Sequence, residues 1–309
     1  MSAEIMETNN NNQQYPIRTV SEVTGVNAVT LRAWERRYGL IQPLRTPKGH
    51  RLYTQDDISL INDIQRRLAE GTAISKIARD ISNTSGDDND APLDIWVHYR
   101  QRMISAVEAF NESGLDAIYN DAMSLYPVDI VTLRLILPLL DDLGERWKTQ
   151  PGGVAEEHFF SVYLRNKLGA RFHHQNLRNN GPTLIAACLP GEHHEFGLLL
   201  FALMANSKGF RIILLGADLP VYELHHVVSK TQCQGVVLSG SATLDCSNML
   251  ADIELLTREL TIPVFVGGDI SDSCVQKLTT ANVIALESGL ANSVSTVAKQ
   301  LHKNTNPNF

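Results

Sequence analysis

The sequence predicts a multidomain fold of the α and α/β classes: a winged helix-turn-helix, a four-helix bundle and a doubly wound, Rossmann-like parallel-sheet domain, in that order. Three observations lead to this prediction. The 309 residues exceed the length of one ordinary domain, two polar stretches interrupt the apolar pattern, and apolar spacing changes from helical to strand-like after Gly181-Pro182.

These interruptions divide the chain into five segments. Residues 1–14 are polar and end in Asn-Asn-Asn-Asn-Gln-Gln, so we expect a disordered arm. Residues 15–82 form the predicted winged helix-turn-helix, and residues 83–91 form a linker without large apolar side chains. Residues 92–178 form the bundle, and residues 181–305 form the α/β domain.

Charge is distributed unevenly along the chain. The net charge is −7, but residues 15–80 hold 11 Lys and Arg against 7 Asp and Glu, which leaves −11 for the remainder. A basic head on an acidic body indicates that the head approaches phosphates.

Other classes of protein are disfavoured by simple counts. No apolar run approaches the ~18 residues of a membrane span, and the N-terminus does not resemble a secretory signal. The four cysteines are widely spaced, which argues against a zinc cluster and a disulfide framework. We therefore expect a cytoplasmic protein whose cysteines are small buried side chains.

The head contains two short helices around a tight turn. Thr19–Gly25 predicts a helix that ends at glycine, Asn27 is a suitable N-cap, and Val29–Tyr38 predicts a second helix that ends at Gly39. Such a pair places its second helix in the major groove of DNA.

A hairpin wing follows, because Leu44–Tyr53 forms two extended arms around Pro-Lys-Gly. On the preceding helix we expect Leu31 and Trp34 to face the core. The residues expected to contact DNA are Thr30, Arg32, Arg36, Arg37 and Tyr38 on the helix, and Arg45, Lys48, His50, Arg51 and Tyr53 on the wing.

Two segments of the head resemble the MerR family of transcription regulators. Leu31–Gly39 (LRAWERRYG) is similar to its recognition helix, and Gly49–Tyr53 (GHRLY) is similar to its wing. The resemblance covers residues 15–82 and implies a homodimer on a two-fold symmetric site in double-stranded promoter DNA. Most of the contacts named above are expected to reach phosphates rather than bases.

Helical periodicity follows the linker, and strand-like runs follow the bundle. The helical stretches are Ile95–Phe110, Leu115–Tyr126, Val128–Trp147 and Val154–Phe172. The apolar runs are Thr183–Leu189, Phe210–Leu215, Gly235–Leu238, Ile262–Val266 and Val283–Leu286. Helix-like segments separate these runs, which predicts a parallel sheet with ligands at the carboxyl ends of its strands.

The loop after the first run carries the best candidate ligand residues. His194 stands two positions after Glu192, whose carboxylate can fix the tautomer of a metal-ligating imidazole. Gly197 removes side-chain bulk where a ligand would approach the backbone. The spacing alone also fits histidines that are merely solvated.

Glu192-x-His194-x-x-Gly197 resembles the D/E-x-H-x-x-G motif of cobalamin-binding domains. The resemblance implies that the imidazole of His194 replaces the benzimidazole of the cofactor and ligates cobalt from below. Glu192 and Gly197 would then belong to the same cofactor site.

Two later segments extend this resemblance. Leu238–Ser241 is similar to the S-x-L element, with Ser239 in place and Ser241 where an apolar residue is usual. Gly267 and Gly268 resemble the glycine pair beside the nucleotide tail of cobalamin. These four residues complete the implied lower half of the cofactor site.

Within the bundle, Trp147 is followed after nine residues by Glu157-His158. This spacing resembles the W-x9-E-H signature of the light-responsive CarH and LitR repressors of the MerR family. It implies a bundle that covers the upper face of the corrin, with Trp147 as an aromatic wall and Glu157 and His158 in contact with an adenosyl group. The chain departs from the family at Lys148, where a histidine can become the upper cobalt ligand after illumination.

The full resemblance implies a repressor that senses light through adenosylcobalamin, or methylcobalamin. The cofactor would control oligomerisation and DNA binding, and the assembly would be a homodimer or a homotetramer. Lys148 and Ser241 leave a second hypothesis open, in which the α/β domain binds no cobalamin and docks a protein antagonist. We expect no enzyme, because no nucleophile with its base and no hydrolytic metal site stands out in the sequence.

Overall fold

The computed structural model describes residues 13–82, 95–177, 179–241, 249–270 and 272–305. The predicted linker and most of the predicted N-terminal arm lie outside these residues. Contacts divide the chain into two compact units, residues 1–160 and 161–309. None of the helices in the described ranges is long and apolar enough to cross a membrane.

The first unit opens with the predicted pair of short helices. α1 (Ile17–Thr24) ends at Gly25, whose φ of 73° lies in the left-handed region that glycine adopts easily. α2 (Ala28–Ala33) begins after Asn27, whose side-chain oxygen accepts hydrogen bonds from two backbone N–H groups. α2 continues as a π-helical stretch, Trp34–Tyr38. The helix-turn-helix is confirmed.

The wing is a three-stranded sheet rather than a hairpin alone. β2 (Leu44–Arg45) and β3 (Arg51–Tyr53) pair antiparallel, as predicted. β1 (Tyr15–Pro16), which the sequence did not reveal as a strand, pairs with the other edge of β3. β3 is therefore the central strand.

Two further helices complete the head. α3 (Gln55–Ala69) begins with a capping box, in which the Thr54 side chain accepts from the backbone N–H of Asp57 and the Asp57 carboxylate accepts from that of Thr54. α4 (Ile74–Ser82) buries Ile74 and Ile77.

The four predicted helical stretches of the bundle are present. They are α5 (Ile95–Glu108), α6 (Glu112–Leu125), a third stretch made of α7 (Val128–Val131), a π-helical segment (Thr132–Ile136) and α8 (Leu137–Thr149), and α9 (Gly153–Asn176). The boundary between the two compact units falls inside α9. Phe110, the last residue of the first predicted stretch, lies beyond the end of α5 with a φ of 49° and is 53 % exposed.

The α8–α9 turn depends on a glycine. A Cβ at Gly153 would stand 2.4 Å from the Arg146 carbonyl oxygen, so Gly153→Ala should lower the free energy of unfolding by about 1 to 3 kcal/mol. A Cβ at Gly144, inside α8, would meet no atom within 4 Å, so Gly144→Ala should instead stabilise by about 0.5 to 1 kcal/mol. Urea unfolding followed by circular dichroism measures both; equal effects of the two alanines would contradict the close approach.

The second unit contains the predicted five-stranded parallel sheet. Its strands are β4 (Thr183–Cys188), β5 (Arg211–Gly216), β6 (Gly235–Gly240), β7 (Val264–Gly268) and β8 (Ile284–Ala285), in the spatial order β5-β4-β6-β7-β8. The helices are α10 (Phe196–Ser207), α11 (Val221–Lys230), α12 (Leu250–Glu259), α13 (Asp272–Thr280) and α14 (Leu290–Thr305). α10 contacts α14, and α12 contacts α11 and α13. The predicted fold class is confirmed.

The cysteines only partly follow the prediction. Cys188 and Cys233 are free and buried, as expected. Cys274 is also buried but takes part in a disulfide. The wide spacing of the cysteines did not indicate this bond, and Cys246 lies outside the described residues.

Candidate cofactor and DNA-binding sites

The motifs of the α/β domain meet at the carboxyl edge of its sheet. β4, β6 and β7 are neighbours, and Cys188, Ser239 and Gly267 stand in one row across them. Glu192 and His194 lie in the loop that follows β4. The parallel topology therefore brings together the three segments that the sequence singled out.

Glu192 holds His194 in one tautomer. Its Oε1 atom lies 2.7 Å from the backbone nitrogen of His194 and 2.8 Å from the ring Nδ1. A carboxylate only accepts hydrogen bonds, so Nδ1 carries a proton, and in the neutral form of the ring the lone pair is on Nε2. The His194 side chain is 81 % exposed, whereas that of Glu192 is 2 % exposed. A buried carboxylate thus prepares an exposed imidazole for a metal ion.

Glu192 is ionised although it is buried. Burial raises its pKa, but hydrogen bonds from the Ser241 hydroxyl and from the backbone and ring of His194 outweigh burial and hold the pKa below its ordinary value. Ser241, the departure from the apolar pattern, therefore contacts the carboxylate that orients His194.

Sequence reasoning missed Asp218, which supports the same loop. Its Oδ1 atom accepts from the backbone nitrogen of Gly191 at 2.8 Å, and its own backbone nitrogen donates to the Glu192 carbonyl at 2.9 Å. Asp218 follows β5 with a φ of 49°. Its place after a strand was the available signal, but it lacks the spacing of a metal motif.

Gly197 differs from the glycine pair at the end of β7. A Cβ at Gly197 would meet no atom within 4 Å, so the packing of the chain does not require glycine there. A Cβ at Gly268 would stand 2.1 Å from the Gly240 carbonyl oxygen, and one at Gly267 would stand 3.1 Å from the Leu286 side chain. Strand packing accounts for the pair, whereas Gly197 leaves open space beside the His194 loop.

These residues fit a cobalt corrinoid. Among the described residues, no group of three His, Cys, Asp or Glu side chains could enclose a metal ion. A single prepared imidazole suits a metal that arrives with its other ligands in a macrocycle. His194 would hold such a group through Nε2, and Glu192 would orient the ring.

The three residues of the predicted upper site lie together on the first unit. Trp147 is 47 % exposed, and the centroid of its ring lies 6.1 Å from that of the His158 ring. The Nδ1 atom of His158 lies 2.8 Å from the Val154 carbonyl oxygen and 3.2 Å from a Glu157 carboxylate oxygen. Both partners accept, so Nδ1 carries a proton, and in the neutral form of the ring the lone pair is on Nε2.

Arg146, which the sequence analysis did not single out, connects the helices around this cluster. Its guanidinium donates to Glu156 on α9 at 2.9 and 3.0 Å and lies 2.8 Å from Glu108 on α5. These contacts join three helices directly beside Trp147. The sequence could not reveal them, because both partners of Arg146 lie on other helices.

Lys148 is turned toward its own helix. Its Nζ atom lies 2.7 Å from Oε1 of Glu145, and the side chain is 70 % exposed. A paired ammonium offers no lone pair to cobalt.

The head presents an exposed cationic surface. Arg32, Arg36, Lys48 and His50, all predicted to contact DNA, are exposed on the recognition helix and the wing. Within the described ranges these four side chains have no ion-pair partner. They are therefore available to phosphates.

Other predicted DNA contacts are engaged within the protein. Glu35 binds both wing arginines: Arg45 at 2.5 Å and Arg51 through its Nε atom. Burial raises the pKa of Glu35, but the hydrogen bonds and charges of Arg51 and Arg45 outweigh burial and lower it. Glu35 thus clamps the wing to the recognition helix. Tyr38 is half-buried, and burial raises its pKa.

Two residues predicted to contact DNA are buried, so their predicted exposure is wrong. Thr30 was expected to face outward, but it is fully buried because it precedes the buried Trp34 by one helical turn. Tyr53 is fully buried because β3 is the central strand, and burial raises the pKa of its hydroxyl to about 12. Neither side chain presents a surface to DNA in this structure.

Comparison with known proteins covers all three domains. The family described as MerR HTH family regulatory protein matches residues 15–83, and two families described as B12 binding domain match residues 99–171 and 182–288. The chain is 31 % identical over 268 residues to the HTH-type transcriptional repressor CarH of Myxococcus xanthus, covering 82 % of this chain and 88 % of that relative. It is also 31 % identical over 258 residues to the repressor CarA of the same organism, covering 82 % and 85 %.

A solved structure supports the fold over about two thirds of the chain. The monomethylamine corrinoid protein of Methanosarcina barkeri aligns with a TM-score of 0.53 at 17 % identity, covering 66 % of this chain and 99 % of that protein. The relatives in sequence are transcriptional repressors rather than enzymes. The chain belongs to the MerR family of DNA-binding transcriptional regulators, within the group that carries cobalamin-binding domains.

Proposed function

We propose that this regulator is a light-responsive repressor that uses adenosylcobalamin, with methylcobalamin as the other form to test. It would act in the cytoplasm on promoter DNA as a homodimer or homotetramer. The observation that carries the proposal is the pair of Glu192 and His194, in which a buried, ionised carboxylate leaves the exposed Nε2 of an imidazole ready for cobalt.

Each residue of the lower site has a distinct role in this proposal. His194 ligates cobalt, and Glu192 holds its tautomer with the help of Ser241. Gly197 leaves room beside the loop. Ser239, Gly267 and Gly268 border the path of the nucleotide tail.

The upper cluster has a role of its own. Trp147 would pack against the group above the cobalt, and Glu157 and His158 would offer it polar contacts. Adenosylcobalamin would supply a cobalt–carbon bond that light cleaves. Lys148 would not replace a histidine as a new upper ligand, because its ammonium is paired with Glu145.

The effect of the cofactor on DNA binding depends on its difference in affinity for the two assemblies. The cofactor can change the assembly only by the amount by which the protein binds it more tightly in one assembly than in the other. On the DNA side, Arg32, Arg36, Lys48 and His50 would reach phosphates directly, whereas Arg37, Arg45 and Arg51 would first exchange a carboxylate partner.

A cofactor and light experiment tests the proposal. A duplex would first be selected from a random DNA library with the full-length protein and adenosylcobalamin in the dark. We expect the loaded protein to retain this duplex in the dark and to release it after green light, with a change of oligomeric state in size-exclusion chromatography. The control is protein loaded with hydroxocobalamin, which lacks a photolabile carbon ligand.

Other outcomes would redirect the proposal. Uptake of adenosylcobalamin with DNA affinity unchanged by light would refute light sensing. No uptake at all would favour the second hypothesis, in which the α/β domain docks a protein antagonist.

A further inference from the structure

Within the first unit, a hydrogen bond joins the recognition helix to helix α6 of the bundle. The indole Nε1 of Trp34, a fully buried side chain, donates a 2.7 Å hydrogen bond to the backbone carbonyl of Leu125 at the end of α6. A buried hydrogen bond of this kind fixes its two elements, because breaking it leaves two polar groups without water. The DNA-reading helix and α6 therefore have a defined contact.

An ion pair extends this contact to the surface. Nη1 of Arg37 lies 3.5 Å from Oδ1 of Asp121 on α6, and the two side chains are 55 % and 40 % exposed. The other oxygen of Asp121 accepts a 2.5 Å hydrogen bond from the Tyr99 hydroxyl on α5. Burial, and then the contact with Asp121, raise the pKa of Tyr99, so this hydroxyl keeps its proton and donates.

Asp121 offers Arg37 what a DNA phosphate would offer. Both are anions whose oxygens accept from a guanidinium. Tyr99 restrains the carboxylate in advance, which reduces the side-chain entropy that the pair loses. The pair is nevertheless exposed, so it is weak enough for a phosphate to exchange with it.

We propose that Asp121 is a positioning residue of the DNA-binding head, which holds Arg37 on the bundle and makes DNA compete for it. This inference rests on DNA binding through the head. It adds that α6, part of the proposed cofactor-sensing bundle, lowers the DNA affinity of the head through one carboxylate. Arg37 thereby differs from Arg36, which lies beside it without a described acidic partner.

The test is a double-mutant cycle on full-length protein, with a duplex that the wild type has selected from a random library. Asp121→Asn keeps the shape of the side chain and an acceptor for Tyr99. It should bind this duplex about two- to fivefold more tightly per head than the wild type. In an Arg37→Ala background, Asp121→Asn should produce no gain.

The matched control is Glu112→Gln. Glu112 is an exposed carboxylate near the start of α6, about 13 Å along the helix from Asp121. The substitution changes the net charge equally, so a gain caused by net charge alone would appear in both variants. Thermal unfolding shows whether Asp121→Asn folds. If it does not, Asp121→Ser, which also removes the charge, replaces it in the test.

The possible results distinguish a failure of DNA binding from a failure of the role proposed for Asp121. If the wild type selects no duplex, DNA binding by this protein fails, and the inference fails with it. If the wild type binds but Asp121→Asn gains no more than Glu112→Gln, or gains equally without Arg37, the role of Asp121 is overturned while DNA binding stands.

Discussion

His194→Ala is expected to lower the affinity for cobalamin by about 100-fold or more while the fold stays intact. The substitution removes the proposed cobalt ligand, and loss of an orienting partner alone typically costs 10- to 100-fold in metal affinity. The side chain is 81 % exposed, so its truncation leaves no cavity. Glu192 keeps the backbone N–H of His194 as a donor. Absorbance titration with adenosylcobalamin in the dark measures the loss.

His193→Ala is the matched control. His193 is also an exposed histidine of the same loop, one residue away. We expect it to bind like the wild type. Equal loss of cobalamin affinity in both variants would point to a general disturbance of the loop. Full cobalamin binding by His194→Ala would show that His194 is not the cobalt ligand.

Arg36→Ala combined with Lys48→Ala should weaken DNA binding by roughly tenfold or more per head at physiological salt. Both side chains are exposed, on the recognition helix and on the wing, without an ion-pair partner among the described residues. If each contacts a phosphate, the slope of log affinity against log salt should fall by roughly two per head. Fluorescence anisotropy across a salt series measures both quantities.

The matched control removes two exposed cations from elsewhere. Arg102 lies on α5 and Arg258 on α12. The variant Arg102→Ala/Arg258→Ala has the same net charge as the test variant, and we expect it to keep the wild-type salt slope. An equal loss in both variants would mean that net charge, not the head, governs DNA affinity.

The sequence revealed features that are local in the chain. The cap at Asn27, the glycine ends of the first helices and the five apolar runs each depend on a few consecutive residues. Glu192 and His194 were predicted for the same reason, because two positions of spacing suffice to bring a carboxylate to Nδ1. Strands β5, β7 and β8 start one or two residues later than predicted, because the apolar runs begin before the hydrogen-bonded ladder.

Features that depend on tertiary contacts were not predictable. Asp218, Arg146 and Asp121 each act on a segment far away in sequence. The exposure of Tyr53 was misjudged because the short strand β1 covers its strand. Thr30 could have been assigned correctly, because four residues before Trp34 is the same face of a helix.

Cobalt ligation by His194 is tested most directly by the electron paramagnetic resonance spectrum of protein-bound cobalt(II) cobalamin, prepared with ordinary and with 15N-histidine-labelled protein. If His194 ligates cobalt, its nitrogen splits the cobalt lines into triplets, which become doublets in the labelled protein. His194→Ala should lose this change. Triplets that persist in the labelled protein would show that the cofactor's own benzimidazole remains the ligand, and would contradict the role assigned to His194.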